Sequence, residues 1–451
     1  MINSPTGVLV PLHGIGTRHD LPLPFSFVVG GAAAALLVSF VVLFVAWRRP
    51  RFLGARGIAA PGLTRWCDHP ATRWVARLVV LALYAWVGLA LFAGEDLLIN
   101  PVFGFVYAWM WVGLVPLSVL CGPIWRATNP LRTVHRGLCA LARIEPGQGL
   151  VRLPRGVGVW PAALGIVAFG WLELVQPDRT TLVVLRVWAL AWLVILLLGA
   201  VVFGSRWIAA TDPFEAYATA LSRASPIARV PQSDGSSRVA LVNPLRNLAT
   251  WRPPPGAALL VCVLLGNTAF DSFANTTWWI QTSQRSSLSP LLWGTAGLVG
   301  MNLVVFGVFC LGAAAMRWFT AADAPSGPDL PRAVAASVVP IAIGYAIAHY
   351  ATLLIVEGQR TAILISDPLS RGWDVFGTGR LGISSGIFDH PTLVASIQVV
   401  AIVGGHVVGI IVAHERSLRL LRPRSAVWGQ LPLLAVMVFY TCSGLLLLFS
   451  P

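Results

Sequence analysis

Lysine is absent from the 451 residues, so all 32 basic residues are arginine. Charged residues of both signs make up only 11% of the chain against 56% hydrophobic residues, and mean hydropathy is +0.75. That scarcity excludes an ordinary water-soluble domain, in which about a quarter of residues carry charge. Cysteine is also scarce. Cys67, Cys121, Cys139, Cys262, Cys310 and Cys442 fall in apolar runs or arginine-bearing loops with no Cys-x-x-Cys pair, which argues against a disulfide framework and a thiolate zinc site. No basic cluster precedes the first apolar run, which is longer than the core of a signal peptide, so that run is expected to be retained as a span.

What the chain does contain is a row of apolar runs. Ten match the roughly 20 helical residues, at about 1.5 Å rise each, that a hydrocarbon core of about 30 Å requires. They cover residues 25–47, 74–94, 102–121, 159–175, 181–204, 256–275, 290–318, 331–357, 391–414 and 426–449. The expected fold is all-α: a polytopic transmembrane helical bundle, one domain over 25–451 behind a tail over 1–24. Arginine sets its orientation. Arg48, Arg49, Arg51, Arg56 and Arg65 follow the first run; Arg126, Arg132, Arg136 and Arg143 the third; Arg206, Arg223, Arg229 and Arg238 the fifth; Arg416, Arg419, Arg422 and Arg424 the ninth. These loops are expected in the cytoplasm, with both termini outside a plasma membrane. The net charge of +14 reads as this topology signal and as attraction to anionic inner-leaflet lipid. Nucleic acid is not an expected partner, because no basic face with groove-reading elements is evident. The abundant tryptophan, 19 residues, suits membrane-interface belts.

Two arginine-side passages resemble each other, which suggests a duplicated helical hairpin followed by a surface helix. Trp125 to Leu131 ends in Asn129-Pro130-Leu131, and Trp207 to Phe214 ends in Asp212-Pro213-Phe214; Asn243-Pro244-Leu245 and Asp367-Pro368-Leu369 repeat the core. Asn or Asp before Pro is a helix start, since its side-chain oxygen can cap free N–H groups and proline has none to leave unpaired. Substrate contact is the weaker alternative. After Pro130, the spacing of Leu131, Val134, Leu138, Leu141 and Ile144 predicts a helix in the membrane interface. The cytoplasmic loops 122–158 and 205–255 are expected to hold such helices, 231–237 to be flexible, and 358–390 to be an extracytoplasmic loop.

Polar chemistry gathers at the other ends of the runs. Glu95 and Asp96 close the second, Glu173 the fourth, Asp271 lies near the end of the sixth, and Glu357 closes the eighth. His349 lies two turns before Glu357, with Tyr345 one turn deeper. His406 and Gln398 lie in the ninth run, while His13, His19, Asp20, Asp389 and His390 lie outside. Ionisable groups at membrane depth usually face a bundle interior or a wet cavity. Imidazole with carboxylate is a donor set for a divalent cation such as Zn, Mn or Fe, which would acidify bound water and polarise a phosphoryl or carbonyl oxygen. The spacing does not favour it: no His-x-x-x-His or Glu-x-x-His pair occurs. His349 reads equally as an interhelical hydrogen-bonded histidine, and Asp271 beside Asn267, Thr268 and Ser272 as a satisfied polar patch. Glu95, Asp96 and Glu357 read equally as interface residues.

The stretch His13-Gly14-Ile15-Gly16-Thr17-Arg18-His19-Asp20-Leu21-Pro22-Leu23-Pro24, directly before a small-residue-rich span ending in Trp47-Arg48-Arg49-Pro50, resembles the multipass actinobacterial membrane proteins commonly named fenitrothion hydrolases. The passages Trp125 to Pro130, Trp207 to Pro213, Asn267 to Asp271 and Ser366 to Trp373 are similar to that group as well, so the resemblance runs the length of the chain. It implies hydrolysis of an organophosphate triester to a phenol and a dialkyl thiophosphate.

The leading expectation is therefore a membrane hydrolase with a site opening to the outer face and a small hydrophobic substrate. His349, Asp271, Glu173 and Glu357 are the expected catalytic residues. His349, Asp271, His13 and Asp20 are the expected metal ligands, with the tail folding over the site. Two other readings stand beside it: a proton-coupled permease using the same buried groups, and an accessory subunit holding a partner in the membrane.

Overall fold

The computed structural model describes residues 18–52, 57–232, 235–320, 329–422 and 428–449; His13 lies outside the described residues. The chain is an all-α polytopic bundle. Among the described residues, ten helices are long and apolar enough to cross a membrane: Phe25–Ala46, Pro70–Ala93, Pro101–Cys121, Arg155–Leu174, Leu182–Phe203, Ala257–Ala274, Pro290–Phe319, Asp329–Leu364, Pro391–Leu420 and Trp428–Leu448. Lipid offers backbone groups no partners, so each crossing must satisfy its own N–H and C=O groups. Proline begins several of them, behind residues whose side chains accept from the first free N–H groups: His69 from Ala71 (3.3 Å), Asn100 from Val102 (3.0 Å) and Ser289 from Leu292 (3.3 Å).

The third, sixth and eighth spans form the centre. The sixth is the most enclosed, with 78% of its most apolar stretch buried, against 17% for the first, second and fifth. The eighth and ninth spans approach backbone to backbone, since a Cβ at Gly344 would collide with the Ala401 carbonyl, and one at Gly405 or Gly409 with the Pro340 or Ser337 carbonyl. Small residues at four-residue spacing are the usual means of such close packing in lipid. An even number of spans returns both described ends to one face, where Arg18 Nε donates to the Phe449 carbonyl (3.0 Å).

The eighth helix departs from the sequence expectation. It runs to Leu364, two turns past Glu357, because hydropathy falls there while Gln359, Arg360 and Ala362 remain good helix formers. Glu357 is thus inside the helix rather than at its end, and the expected loop at 358–390 begins after Leu364. Asp367 does not start a helix either: its carboxylate accepts from the N–H groups of Arg371 (3.0 Å) and Gly372 (2.7 Å) in a turn.

In both similar passages a short helix runs through an Asx-Pro cap into a second helix: Ile124–Thr128 into Pro130–Ala142, and Ser205–Thr211 into Pro213–Leu221. The second passage enters the bundle rather than lying on its surface. In the second, Phe214 stacks edge-on against Trp188 and Trp192 of the fifth span, and the Tyr217 hydroxyl donates to the Met110 and Trp111 carbonyls of the third (3.1 and 2.7 Å). Those carbonyls lie where the third span widens to a π-helix over Phe105–Val112, a winding whose shifted bonds leave carbonyls to be satisfied from elsewhere. Every residue of Pro213–Leu221 except Thr219 is buried, so this is not an interfacial helix. Pro130–Ala142 fits the interface expectation only beyond its first turns, where Leu138 and Leu141 are exposed while Arg132 and His135 are buried.

A three-stranded antiparallel sheet on the arginine-rich side was not legible in the sequence. β1 (Gly57–Ala59), β2 (Ile227–Pro231) and β3 (Ser237–Val242) pair in the order β1-β3-β2, with Ile58 opposite Leu241 and Arg229 opposite Val239. Of the stretch expected to be flexible, Pro231 ends β2 and Ser237 begins β3, and among its described residues Gln232 N–H donates to the Ser236 carbonyl (2.8 Å) and Gly235 takes φ 78°.

Candidate active site

A cavity of about 270 Å³ lies at the face opposite the arginine-rich loops. The start of the third span, the ends of the fourth, sixth and eighth, and the loop before the fifth all contribute to it. Its walls are Leu98, Phe103, Leu174, Leu353 and Leu364; its polar lining includes Glu173, Asp271, Glu357, Arg179 and Arg360. Three carboxylates from three spans, predicted separately as helix-end residues, thus share one space.

Local structure holds each of them in place. Glu357 pairs with Arg360 one turn on (Oε1 to Nη1, 3.4 Å), and the turn between them is braced by Trp109 Nε1 donating to the Gly358 carbonyl (3.0 Å). Gly104 sits so close to Thr361 that a side chain there would collide with its hydroxyl, which brings the third and eighth spans together at the cavity wall. The Tyr107 hydroxyl donates to the Arg179 carbonyl (2.8 Å), fixing the loop that presents that guanidinium. Behind the sixth span, Asn302 donates to Asn267 (2.9 Å) and Asn267 to the Ile166 carbonyl (2.9 Å). This ladder joins three spans and sets the rotation of the helix that carries Asp271.

Asp271 carries the densest contacts. His349 Nε2 lies 2.9 Å from its Oδ2, and the Tyr350 hydroxyl donates to the same oxygen (3.2 Å). The other ring nitrogen of His349, Nδ1, is 3.3 Å from Ser272 Oγ. With the Ser272 hydroxyl donating to Nδ1, the proton sits on Nε2 and points at Asp271, so hydrogen-bond logic assigns one tautomer. His349 is 2% exposed and does not line the cavity. It stands behind Asp271 and orients it.

The other expected site residues lie elsewhere. Asp20 belongs to the short turn Arg18–Asp20 and is not among the cavity-lining residues. Asp96 caps the fifth span, accepting from Leu182 N–H (3.0 Å), and Asn100 donates to the Glu95 backbone carbonyl (3.1 Å), while Glu95 itself is exposed and not among the cavity-lining residues. His406 Nδ1 bonds the Ile402 carbonyl of its own helix (2.9 Å), and Gln398 donates to the Ala348 carbonyl (2.9 Å).

Of the expected cation ligands, His13 lies outside the described residues. Both nitrogens of His349 are engaged with protein partners, and among the described residues no group of three or more His, Cys, Asp or Glu side chains gathers as metal ligands. Of the expected ligands, His349 and Asp271 meet; Asp20 does not join them.

Sequence reasoning missed Arg179, Arg360 and Tyr350, and named Ser272 only as part of a polar patch beside Asp271. The arginines had a signal: they sit at the ends of spans opposite to those where most of the arginine is placed. Tyr350 and Ser272 had only their adjacency to His349 and Asp271. No family model, no curated protein and no solved structure matches the chain.

Proposed function

We propose that the protein is a plasma-membrane hydrolase of small, largely apolar esters, acting from a cavity on the outer face. The placement of that face rests on the positive-inside rule. The reading is carried by one observation: Glu173, Asp271 and Glu357 line the same cavity as Arg179 and Arg360, within apolar walls. The sequence resemblance to fenitrothion hydrolases supports the substrate class, a phosphoric or thiophosphoric triester with an aryl leaving group.

Asp271 acts as general base. It takes a proton from a water, whose oxygen attacks the electrophilic phosphorus as the bond to the aryl oxygen breaks. The proton then passes to the departing oxygen, giving a phenol and a diester acid. His349 and Tyr350 hold the carboxylate in position, since both donate to Oδ2. Arg179 and Arg360 stabilise charge as it develops on the phosphoryl and leaving oxygens, which is the largest electrostatic contribution such a site offers. Glu173 and Glu357 set the local field and supply a second proton carrier. The experiment is turnover of an aryl phosphotriester by purified protein in nanodiscs without any ion gradient, wild type beside Asp271→Asn.

A permease is the second reading, favoured by the short buried helix Pro213–Leu221, which enters the bundle without crossing it, a feature akin to the half-helices of transporter sites. Substrate uptake by proteoliposomes only under an imposed pH gradient, with no turnover in nanodiscs, would favour it.

A further inference from the structure

On the arginine-rich side, the second span and the helix Pro130–Ala142 each carry two arginines one turn apart: Arg73 with Arg77, and Arg132 with Arg136. Residues four apart share one face of a helix, and these two helices pack against each other. The first member of each pair is neutralised. Arg73 pairs with Asp68, and Arg132 grips Glu215 through two bonds (2.5 and 2.6 Å). The second member is not. Arg77 gives its Nε to the Ala127 carbonyl (3.2 Å), and Arg136 Nη1 is buried without an acceptor. Among the described residues, neither guanidinium is paired with a carboxylate.

Both charges belong to one corner of the bundle. Ala127 lies just before the Asn129-Pro130 cap, so the bond from Arg77 holds it beside the start of the helix that carries Arg136. A helical side chain leans toward the N terminus of its helix, which brings Arg136 back toward the same place. Burial, and then the charge of Arg77, hold the Arg136 guanidinium below the ordinary arginine range.

The corner lies at the level of lipid. Arg77 is two turns into the second span from Pro70, about 10 Å at 1.5 Å per residue. Its Cζ is 5.4 Å from the centre of the Trp74 ring. Trp74, Val75, Leu78 and Val79 are exposed on this helix, as are Leu138 and Leu141 on its neighbour. Exposed apolar surface on a spanning helix faces acyl chains, and tryptophan marks headgroup depth. Unpaired charge at that depth is costly and calls for a counter-ion.

We propose that Arg77 and Arg136 hold the phosphate of an anionic phospholipid of the inner leaflet, at the corner between the second span and Pro130–Ala142. Guanidinium suits phosphate because its N–H groups match two oxygens at once. Two positive charges in one place select a headgroup of net negative charge over a zwitterion. Basic pockets between helices at the cytoplasmic side hold lipid headgroups in this manner. This is a defined site, unlike the diffuse attraction that a net charge of +14 implies. It lies on the face opposite the outer cavity and does not rest on the hydrolase reading.

The test is native mass spectrometry of the detergent-purified protein titrated with phosphatidylglycerol or phosphatidylcholine, with inorganic phosphate as competitor. Thermal unfolding is followed in the same mixtures. Wild type should bind phosphatidylglycerol about tenfold more tightly than phosphatidylcholine, the preference that two arginines near an anionic headgroup supply, and gain Tm from the former alone. Arg77→Gln and Arg136→Gln should each weaken phosphatidylglycerol binding by roughly tenfold, the size expected for hydrogen bonds to a charged group. Arg155→Gln, at the arginine-rich end of the fourth span and outside the corner, should leave it unchanged. No preference for phosphatidylglycerol in wild type, an equal loss in Arg155→Gln, or full affinity in folded Arg77→Gln and Arg136→Gln would overturn the proposal. Displacement of the lipid by inorganic phosphate would assign the corner to a soluble anion and would overturn it as well.

Discussion

Two clusters of carboxylates occupy opposite halves of the bundle, and they are built differently. In the inner one, Arg132 binds Glu215 bidentately and Asn129 bridges Glu215 to Asp212, with the arginine 7% and the acids 1% and 0% exposed. In the outer one, Glu173, Asp271 and Glu357 face a cavity of about 270 Å³, and the ion pair that reaches it, Glu357 with Arg360, is loose at 3.4 Å. A buried pair closed on itself fixes how the Pro130–Ala142 and Pro213–Leu221 helices meet. Charges arranged around an open volume keep capacity for something that enters. The same residue types thus divide into architecture and chemistry according to whether space has been left beside them.

That contrast can be broken most sharply at Asp271. Asp271→Asn keeps the shape and removes the base, so turnover should fall by about 10²- to 10⁴-fold, the usual contribution of general base catalysis, while Tm in detergent stays near that of wild type. The inner cluster should show the reverse. Arg132→Ala leaves Glu215 without its guanidinium, and breaking one partner of a buried pair costs about 3–5 kcal/mol; thermal unfolding should show this loss. The double replacement Arg132→Met with Glu215→Leu should restore much of the stability, because an apolar pair of similar volume is often neutral or better.

A smaller effect concerns pH. Burial, and then the neighbouring Glu215, push the Asp212 carboxyl up to about 7. The groups facing it are Asn129, Glu215, Tyr84 and Tyr217, with Arg132 and Arg126 beyond. A carboxyl raised above its unfolded value of 3.8 stabilises the fold fully below that value and loses this contribution as pH rises toward about 7. Tm should therefore decline over that interval in wild type and decline less in Asp212→Asn, which keeps an acceptor for the Phe214 N–H. The smallest expected change is at Ser272→Ala. It removes the partner of His349 Nδ1 and should lower kcat only several-fold with KM unchanged, about 1 kcal/mol for one neutral hydrogen bond.

The ten crossings were legible because hydropathy reports burial in lipid directly. So were the caps at Asn129, Asp212 and Asn243, each of which accepts from the N–H two residues on. Lateral and vertical arrangement was not. Hydropathy cannot separate a helix that leaves the bilayer from a loop, and so ended the eighth span at Glu357, short of Leu364. It also cannot tell a hairpin lying on the surface from one entering the bundle, since apolar residues serve both; Phe214 against Trp188 and Trp192 is a purely tertiary contact. The sheet needed β1 to find β3 from a distant loop. Glu173, Asp271 and Glu357 were readable one by one as acids at span ends, whereas their convergence depends on helix order around the bundle. Asp20 was grouped with them because it lies on the same face in sequence, and it belongs instead to the Arg18–Asp20 turn, whose Arg18 bonds the Phe449 carbonyl.

The central claim is that Asp271 works on a substrate held in the outer cavity. Its most direct test is release of phenolate from an aryl phosphotriester by wild-type protein and Asp271→Asn, both in nanodiscs with matching Tm and no gradient. The account predicts turnover by wild type and at least about a 100-fold loss in the variant. Equal turnover in the two proteins, or none in well-folded wild type, would contradict it.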